Sequence, residues 1–197
     1  MKAYFVTGNQ KKYEEVKHLF EEGGIEIEWL NEPKPEPADE WDIKVVAEYA
    51  AEVLANKHQK PVVVEDTGFF FKAYNHFPGP HSKFVFHSIG YEGLLKLLDG
   101  KDRSASFRIV ASFCMPGEKP VSFEGVMDGK VTEEVHGDEA SSMPFDRIFI
   151  PEGQEKAWIL SQEEKIKDSH RTVAFKKMVK HLKERGEEEW KTVFSAR

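Results

Sequence analysis

The sequence predicts an α/β fold: a central mixed sheet flanked by helices and shared by two lobes, with a cleft between them. Three observations carry this. The first third alternates apolar strand runs with helical runs, the order that builds parallel strands joined by helical crossovers. From Ser104 onward, strand runs are separated by Pro-Gly and Asp-Gly turns, which mark antiparallel hairpins. No flexible linker and no internal repeat interrupts the chain. Residues 1–197 are therefore expected to form a single domain of two lobes.

The elements follow in order. Ala3–Val6 is a short apolar strand that runs into Thr7-Gly8-Asn9. Tyr13, Val16, Leu19 and Phe20 recur at helical spacing, and Gly23-Gly24 stops that helix. Ile25–Leu30 alternates as a second strand. The segment from Asn31 to Pro37 carries prolines at 33, 35 and 37, so it is a stiff loop. Asp39–Asn56 is helical, with Trp41, Val45, Ala47, Ala51, Val53 and Leu54 as its apolar positions. Pro61 opens the buried strand Val62–Val64, which ends in Glu65-Asp66-Thr67-Gly68. Phe77-Pro78-Gly79-Pro80 is a rigid turn, and Tyr91–Leu98 is a short helix closed by Asp99-Gly100. Ser104–Cys114, Val121–Val126 and Lys130–Val135 are strands, and Arg147–Ile150 is a last short one. His170–Arg185 is an amphipathic helix, and the tail from Gly186 is expected to be loosely held.

Composition narrows the classes. A net charge of -7 argues against a broad nucleic-acid face, which needs a basic surface. A single cysteine, Cys114 in an apolar run, excludes an intramolecular disulfide and a Cys-based zinc cluster. No apolar run reaches transmembrane length, and the chain starts directly on strand sequence. A soluble cytoplasmic protein with no membrane partner is expected.

Three features carry chemistry. A strand that ends in a Gly-containing turn and opens a helix presents unpaired N–H groups and a favourable dipole to an anion. Thr7 and Asn9 add donors there and Lys12 adds a charge; a plain Asn helix cap is the other reading. Glu65 and Asp66, at the end of a buried strand, call for a cation or a catalytic role. Mg²⁺ suits such carboxylates, and Glu36 of the stiff loop is a further candidate ligand; the alternative is that Asp66 caps a turn into Thr67-Gly68. Lys165 and Ser169-His170-Arg171 gather donors near a helix start, suited to a phosphate or a base edge. Against this stands an exposed helix start capped by Ser169.

The order T-G-N-x-x-K, E-D-T-G, F-P-G-P and E-K…S-H-R resembles the inosine triphosphate pyrophosphatase family over nearly the whole chain. The resemblance implies a two-lobed α/β homodimer that uses Mg²⁺ to hydrolyse deaminated purine nucleoside triphosphates (ITP, dITP, XTP) to monophosphate and pyrophosphate. It implies that Asp66 and Lys12 are catalytic and that Glu36, Asp66 and Glu65 hold the metal. The implied substrate contacts are Thr7, Gly8, Asn9, Lys12, Thr67, Lys83, Met143, Phe145, Asp146, Lys165, His170 and Arg171. Departures fall on the base side: Met143 stands where a stacking aromatic is expected, Pro144 replaces a glycine, and Ile166 follows Lys165 in place of Asn. The helix at Glu48-Tyr49-Ala50 lacks a lysine that many relatives carry. The same chemistry on another modified nucleotide, or nucleotide binding without turnover, are the competing readings.

Overall fold

The computed structural model describes residues 2–75, 77–138, 144–160 and 169–195. In chain order its elements are β1 (Lys2–Val6), α1 (Gln10–Glu22), β2 (Glu26–Leu30), α2 (Ile43–His58), β3 (Val62–Phe71), β4 (Pro78–Gly79), α3 (Ser82–Leu97), β5 (Ser104–Cys114), β6 (Val121–Val131), β7 (Phe149–Pro151) and α4 (His170–Ser195). Two 3-10 turns, Pro144–Ile148 and Trp158–Leu160, flank β7. The strands form one mixed sheet in the order β2-β1-β3-β5-β6-β7, with β4 paired to β3. β1 runs parallel to β2 and β3, and β3, β5, β6 and β7 pair antiparallel in turn. The change from parallel to antiparallel falls where the sequence changes character. No helix among the described residues is long and apolar enough to cross a membrane.

The two faces of the sheet carry different layers. Alternation along β3 sends Val62 and Val64 to the α2 side, where they meet Ala50, Ala51, Leu54 and Cys114. Val63 points the other way, into a core of Phe5, Phe20, Phe175 and Met178 from β1, α1 and α4. Alanines at 47, 50, 51 and 55 are almost fully buried and let α2 lie close to the strands. Farther along, Phe69, Phe71, Phe107, Phe145 and Phe149 form an aromatic cluster, with the Phe69 and Phe107 rings 4.7 Å apart.

Strand lengths position the site. β3 and β5 pair continuously from Val62↔Cys114 to Phe71↔Ala105. β1 is much shorter, ends at Val6, and meets β3 only at Val62 and Val63. The edge of β3 is next covered at Phe69 by β4. Between them lies an open stretch that contains Glu65 and Asp66.

Several sequence expectations need correction. The strand from Val62 does not end at Glu65-Asp66-Thr67-Gly68 but runs to Phe71, because Phe69 and Phe71 bury in the aromatic cluster and pair with β5; no turn there needs an Asp66 cap. The expected helix from Tyr91 is the second part of α3; a first part from Ser82, not expected, precedes it across a break at Gly90 (φ 61°). The exposed Phe84, at 72%, hides an apolar face in its first half. Asp128-Gly129 is not a hairpin turn, because β6 continues through it to Val131 and replaces the expected Lys130–Val135 strand. A Cβ at Gly129 would lie 2.2 Å from the Ile150 carbonyl oxygen, so this glycine serves the approach of β7. β7 itself is displaced, to Phe149–Pro151, with Arg147 in the preceding 3-10 turn. α2 starts at Ile43 behind an Asp42 cap, and Trp41, Val45 and Val53 are exposed rather than core. α4 continues beyond Arg185 to Ser195.

Candidate active site

The candidate site lies where β1 and β2 stop and β3 runs on. The Thr7 N–H donates to the Leu30 carbonyl (3.2 Å), and Trp29 Nε1 donates to the Thr7 carbonyl (2.7 Å). These bonds hold the Thr7-Gly8-Asn9 turn over the end of β2. The Asn9 N–H donates to Thr7 Oγ1 (3.1 Å), and the Lys11 N–H donates to Asn9 Oδ1 (3.0 Å). Asn9 is thus the N-cap of α1. The cap satisfies one leading N–H, and the remaining ones leave a partial positive charge at the start of α1.

Glu65 and Asp66 are neighbours on a strand, so they leave it on opposite faces. Glu65 is 3% exposed and meets Lys12 of α1 and Arg171 of α4. Arg171 Nε donates to Glu65 Oε2 (2.9 Å), and Arg171 Nη1 pairs with Glu15 Oε2 (2.5 Å). Burial alone would push the Glu65 carboxyl up, but Arg171 and Lys12 outweigh it and hold it well below the usual carboxylate range. Arg171 is held above its ordinary value, because Glu65 and Glu15 more than offset its desolvation. Both Glu65 oxygens therefore face protein cations, an arrangement unsuited to a metal ligand.

Asp66 faces the other way and is 8% exposed. Its Oδ1 accepts from Lys34 Nζ, which also donates to the Glu65 backbone carbonyl at 3.2 Å. Its Oδ2 is buried and has no hydrogen-bond partner. Burial pushes the Asp66 carboxyl up, and the Lys34 charge only partly offsets this. A carboxylate with one free buried oxygen, beside an accessible strand edge, suits a base or a cation ligand.

The remaining candidates fall at different places. Thr67 is half-buried, with Oγ1 3.5 Å from Glu65 Oε2. Glu36 is exposed, two residues from Lys34 in the Pro loop, and Lys83 is exposed on the first turn of α3. Phe145 is buried in the aromatic cluster, its ring 4.7 Å from that of Phe69, and Asp146 is buried in the same 3-10 turn. Met143 and Lys165 lie outside the described residues. Ser169 Oγ accepts from the Thr172 N–H (3.1 Å), so Ser169 does cap α4, but His170, Arg171 and Thr172 behind it are buried rather than exposed. The His170 ring stacks on Phe107 at 4.9 Å and 10°. Gly125 permits this seating, because a Cβ there would fall 1.9 Å from the His170 carbonyl oxygen.

The structure thus gathers Lys12, Glu65 and Arg171 into one ion cluster, with Asp66 back to back across the strand. Two members escape a reading of the sequence. Glu15 stands three residues after Lys12 on the same helix face, a spacing that could have flagged it. Lys34, between two prolines, resembles any loop lysine until the fold places it on Asp66. A groove of about 810 Å³ farther along the sheet is lined by Phe70, Arg108, Asp128 and Lys130, but by none of the candidate site residues.

Comparison with known proteins adds to this geometry. Residues 3–181 match the Ham1 family. Over 185 residues the chain is 43% identical to the dITP/XTP pyrophosphatase of Methanopyrus kandleri, spanning 93% of this chain and 97% of that protein. It is 40% identical over 187 residues to the dITP/XTP pyrophosphatase of Thermococcus kodakarensis, spanning 93% and 98%. The Ham1 protein of Staphylococcus aureus shares the fold, with a TM-score of 0.79 at 23% identity over 94% of this chain and 100% of that one. The HAM1 protein of Coxiella burnetii has a TM-score of 0.79 at 25% identity, over 93% and 99%.

Proposed function

The chain belongs to the Ham1 family, and from that premise we propose that it hydrolyses deaminated purine nucleoside triphosphates, ITP, dITP and XTP, to the monophosphate and pyrophosphate. The observation that carries the reading is Asp66: buried, with an unpartnered Oδ2, at an open strand edge and next in sequence to Glu65, which pairs with Lys12 of α1.

A water at Asp66 attacks the α-phosphorus, and Asp66 takes its proton. The bond from the α-phosphorus to the bridging oxygen breaks, and pyrophosphate leaves with the electron pair. A carboxyl raised by burial is a better base than an exposed one. The start of α1 with Thr7, Gly8, Asn9 and Lys12 faces the phosphates and offsets their charge. On the base side, donors at His170 and Arg171 suit the oxo group of a deaminated purine. An amine in its place would set donor against donor, which discriminates against adenine.

Mg²⁺ belongs to this proposal. The Asp66 carboxylate, with the Glu65 carbonyl oxygen near it, suits a hard cation, and Glu36 lies in the loop that carries Lys34; the Glu65 side chain, held by Lys12 and Arg171, does not fit. Among the described residues no three His, Cys, Asp or Glu side chains form a metal cluster, so substrate phosphates would complete the shell. Bound there, the ion would neutralise charge on the phosphates. Two lobes closing on the nucleotide, a homodimer and a cytoplasmic location complete the proposal.

A panel of triphosphates with Mg²⁺ tests it. Release of pyrophosphate from ITP, dITP and XTP, with little from ATP or GTP, is expected. Equal turnover of ATP, or none of any deaminated purine, would overturn it.

A further inference from the structure

Lys34 is assigned no role by the motifs, yet it makes the closest contact with Asp66. Its side chain is 20% exposed and that of Asp66 11%. Nζ donates to Asp66 Oδ1 and to the Glu65 carbonyl oxygen at 3.2 Å. The other carboxylate oxygen, Oδ2, is buried and unpartnered. A carboxylate and a backbone carbonyl converging on one point make an oxygen-only donor set, the kind a hard divalent cation takes. The ammonium stands where such a cation would stand.

We propose that Lys34 is the built-in counter-ion of the Asp66 site: it neutralises Asp66 in the metal-free protein and must withdraw before a divalent cation can bind there. This rests on the reading of Asp66 as a metal ligand. A buried carboxylate without a partner is strongly unfavourable, so a resident cation stabilises the empty site. Pro33 and Pro35 fix the backbone on either side, while the long lysine stem can swing. One movement then exchanges one positive charge for another and releases an ammonium in a loop that also carries Glu36. Metal affinity is reduced by the fraction of molecules in which Lys34 still occupies Asp66.

The test is Mn²⁺ binding to the full chain, read from free Mn²⁺ by electron paramagnetic resonance and from the unfolding temperature, with and without a non-hydrolysable triphosphate. In chelator, Lys34→Met should unfold at a lower temperature than wild type. It should bind Mn²⁺ about tenfold tighter, as expected if Lys34 is seated in about nine molecules of ten, and gain more thermal stability from it. Lys34→Arg, which keeps the charge, should behave as wild type. If Lys34→Met does not fold, Lys34→Gln carries the same comparison. Equal or weaker Mn²⁺ binding by the uncharged variant, with wild type binding normally, would overturn the counter-ion role alone. Mn²⁺ bound by neither protein, or bound equally by Asp66→Asn, would instead overturn the metal reading beneath it.

Discussion

At the residue scale, one strand separates two carboxylates that the sequence writes side by side. Glu65 is locked by Lys12 and Arg171, and Asp66 holds a free oxygen. Their roles therefore differ, and so do the expected effects of removing each charge. Asp66→Asn should keep the fold, read by circular dichroism, and lower kcat by about 100-fold or more, the weight of a positioned base. Near-normal turnover would remove Asp66 from the chemistry. Glu65→Gln should instead reduce stability, because it leaves Lys12 and Arg171 without their shared anion. The Glu65 carboxyl is depressed in the folded protein. Its stabilisation is therefore full above the unfolded carboxylate value of about 4.3 and lost as pH falls below it. The gap in unfolding free energy between wild type and Glu65→Gln, measured in urea across pH, should narrow on acidification. A gap that widens would contradict the ion cluster. The acidic pair of E-D-T-G stood out in the sequence, but the different surroundings of its two carboxylates did not, since they depend on a strand long enough to alternate through it.

At the scale of elements, periodicity located most helices and strands and misplaced their ends. Where a largely apolar run is closed by turn residues, as in Ser104–Cys114, the strand stands where the sequence puts it. Where a glycine can mean either a turn or a close approach, the sequence is ambiguous. Gly129 looks like a hairpin and is a strand residue under β7. Gly125 gives no signal at all, yet it seats the start of α4. Gly125→Ala should cost about 1–3 kcal/mol through overpacking, measured by thermal unfolding, and should raise KM through displacement of His170 and Arg171. An unchanged melting temperature would mean that the helix start is not held there. Cys114 shows the opposite case, a strand residue whose burial was legible from its apolar neighbours. Its thiol is pushed up to about 11, mainly by burial. Native protein at pH 8 should therefore resist alkylation that goes to completion in urea, since little thiolate forms and little access exists. Rapid native labelling followed by mass spectrometry would contradict this.

At the scale of the whole molecule, the mixed sheet and its flanking helices were legible because the parallel and antiparallel parts use different punctuation. The open edge of β3 was not, because it arises from a mismatch in length between β1 and β3 that only pairing reveals. Lys34 and Glu15 were missed for a related reason: each acquires meaning from a partner distant in sequence, Asp66 or Arg171. This edge is proposed to host attack on the α-phosphorus of a deaminated purine triphosphate. Hydrolysis of ITP with Mg²⁺ in heavy-oxygen water tests it most directly, with products resolved by mass spectrometry. One pyrophosphate per inosine monophosphate, with the heavy oxygen in the monophosphate, is the predicted result. Heavy oxygen in pyrophosphate, or release of inorganic phosphate and inosine diphosphate, would contradict it.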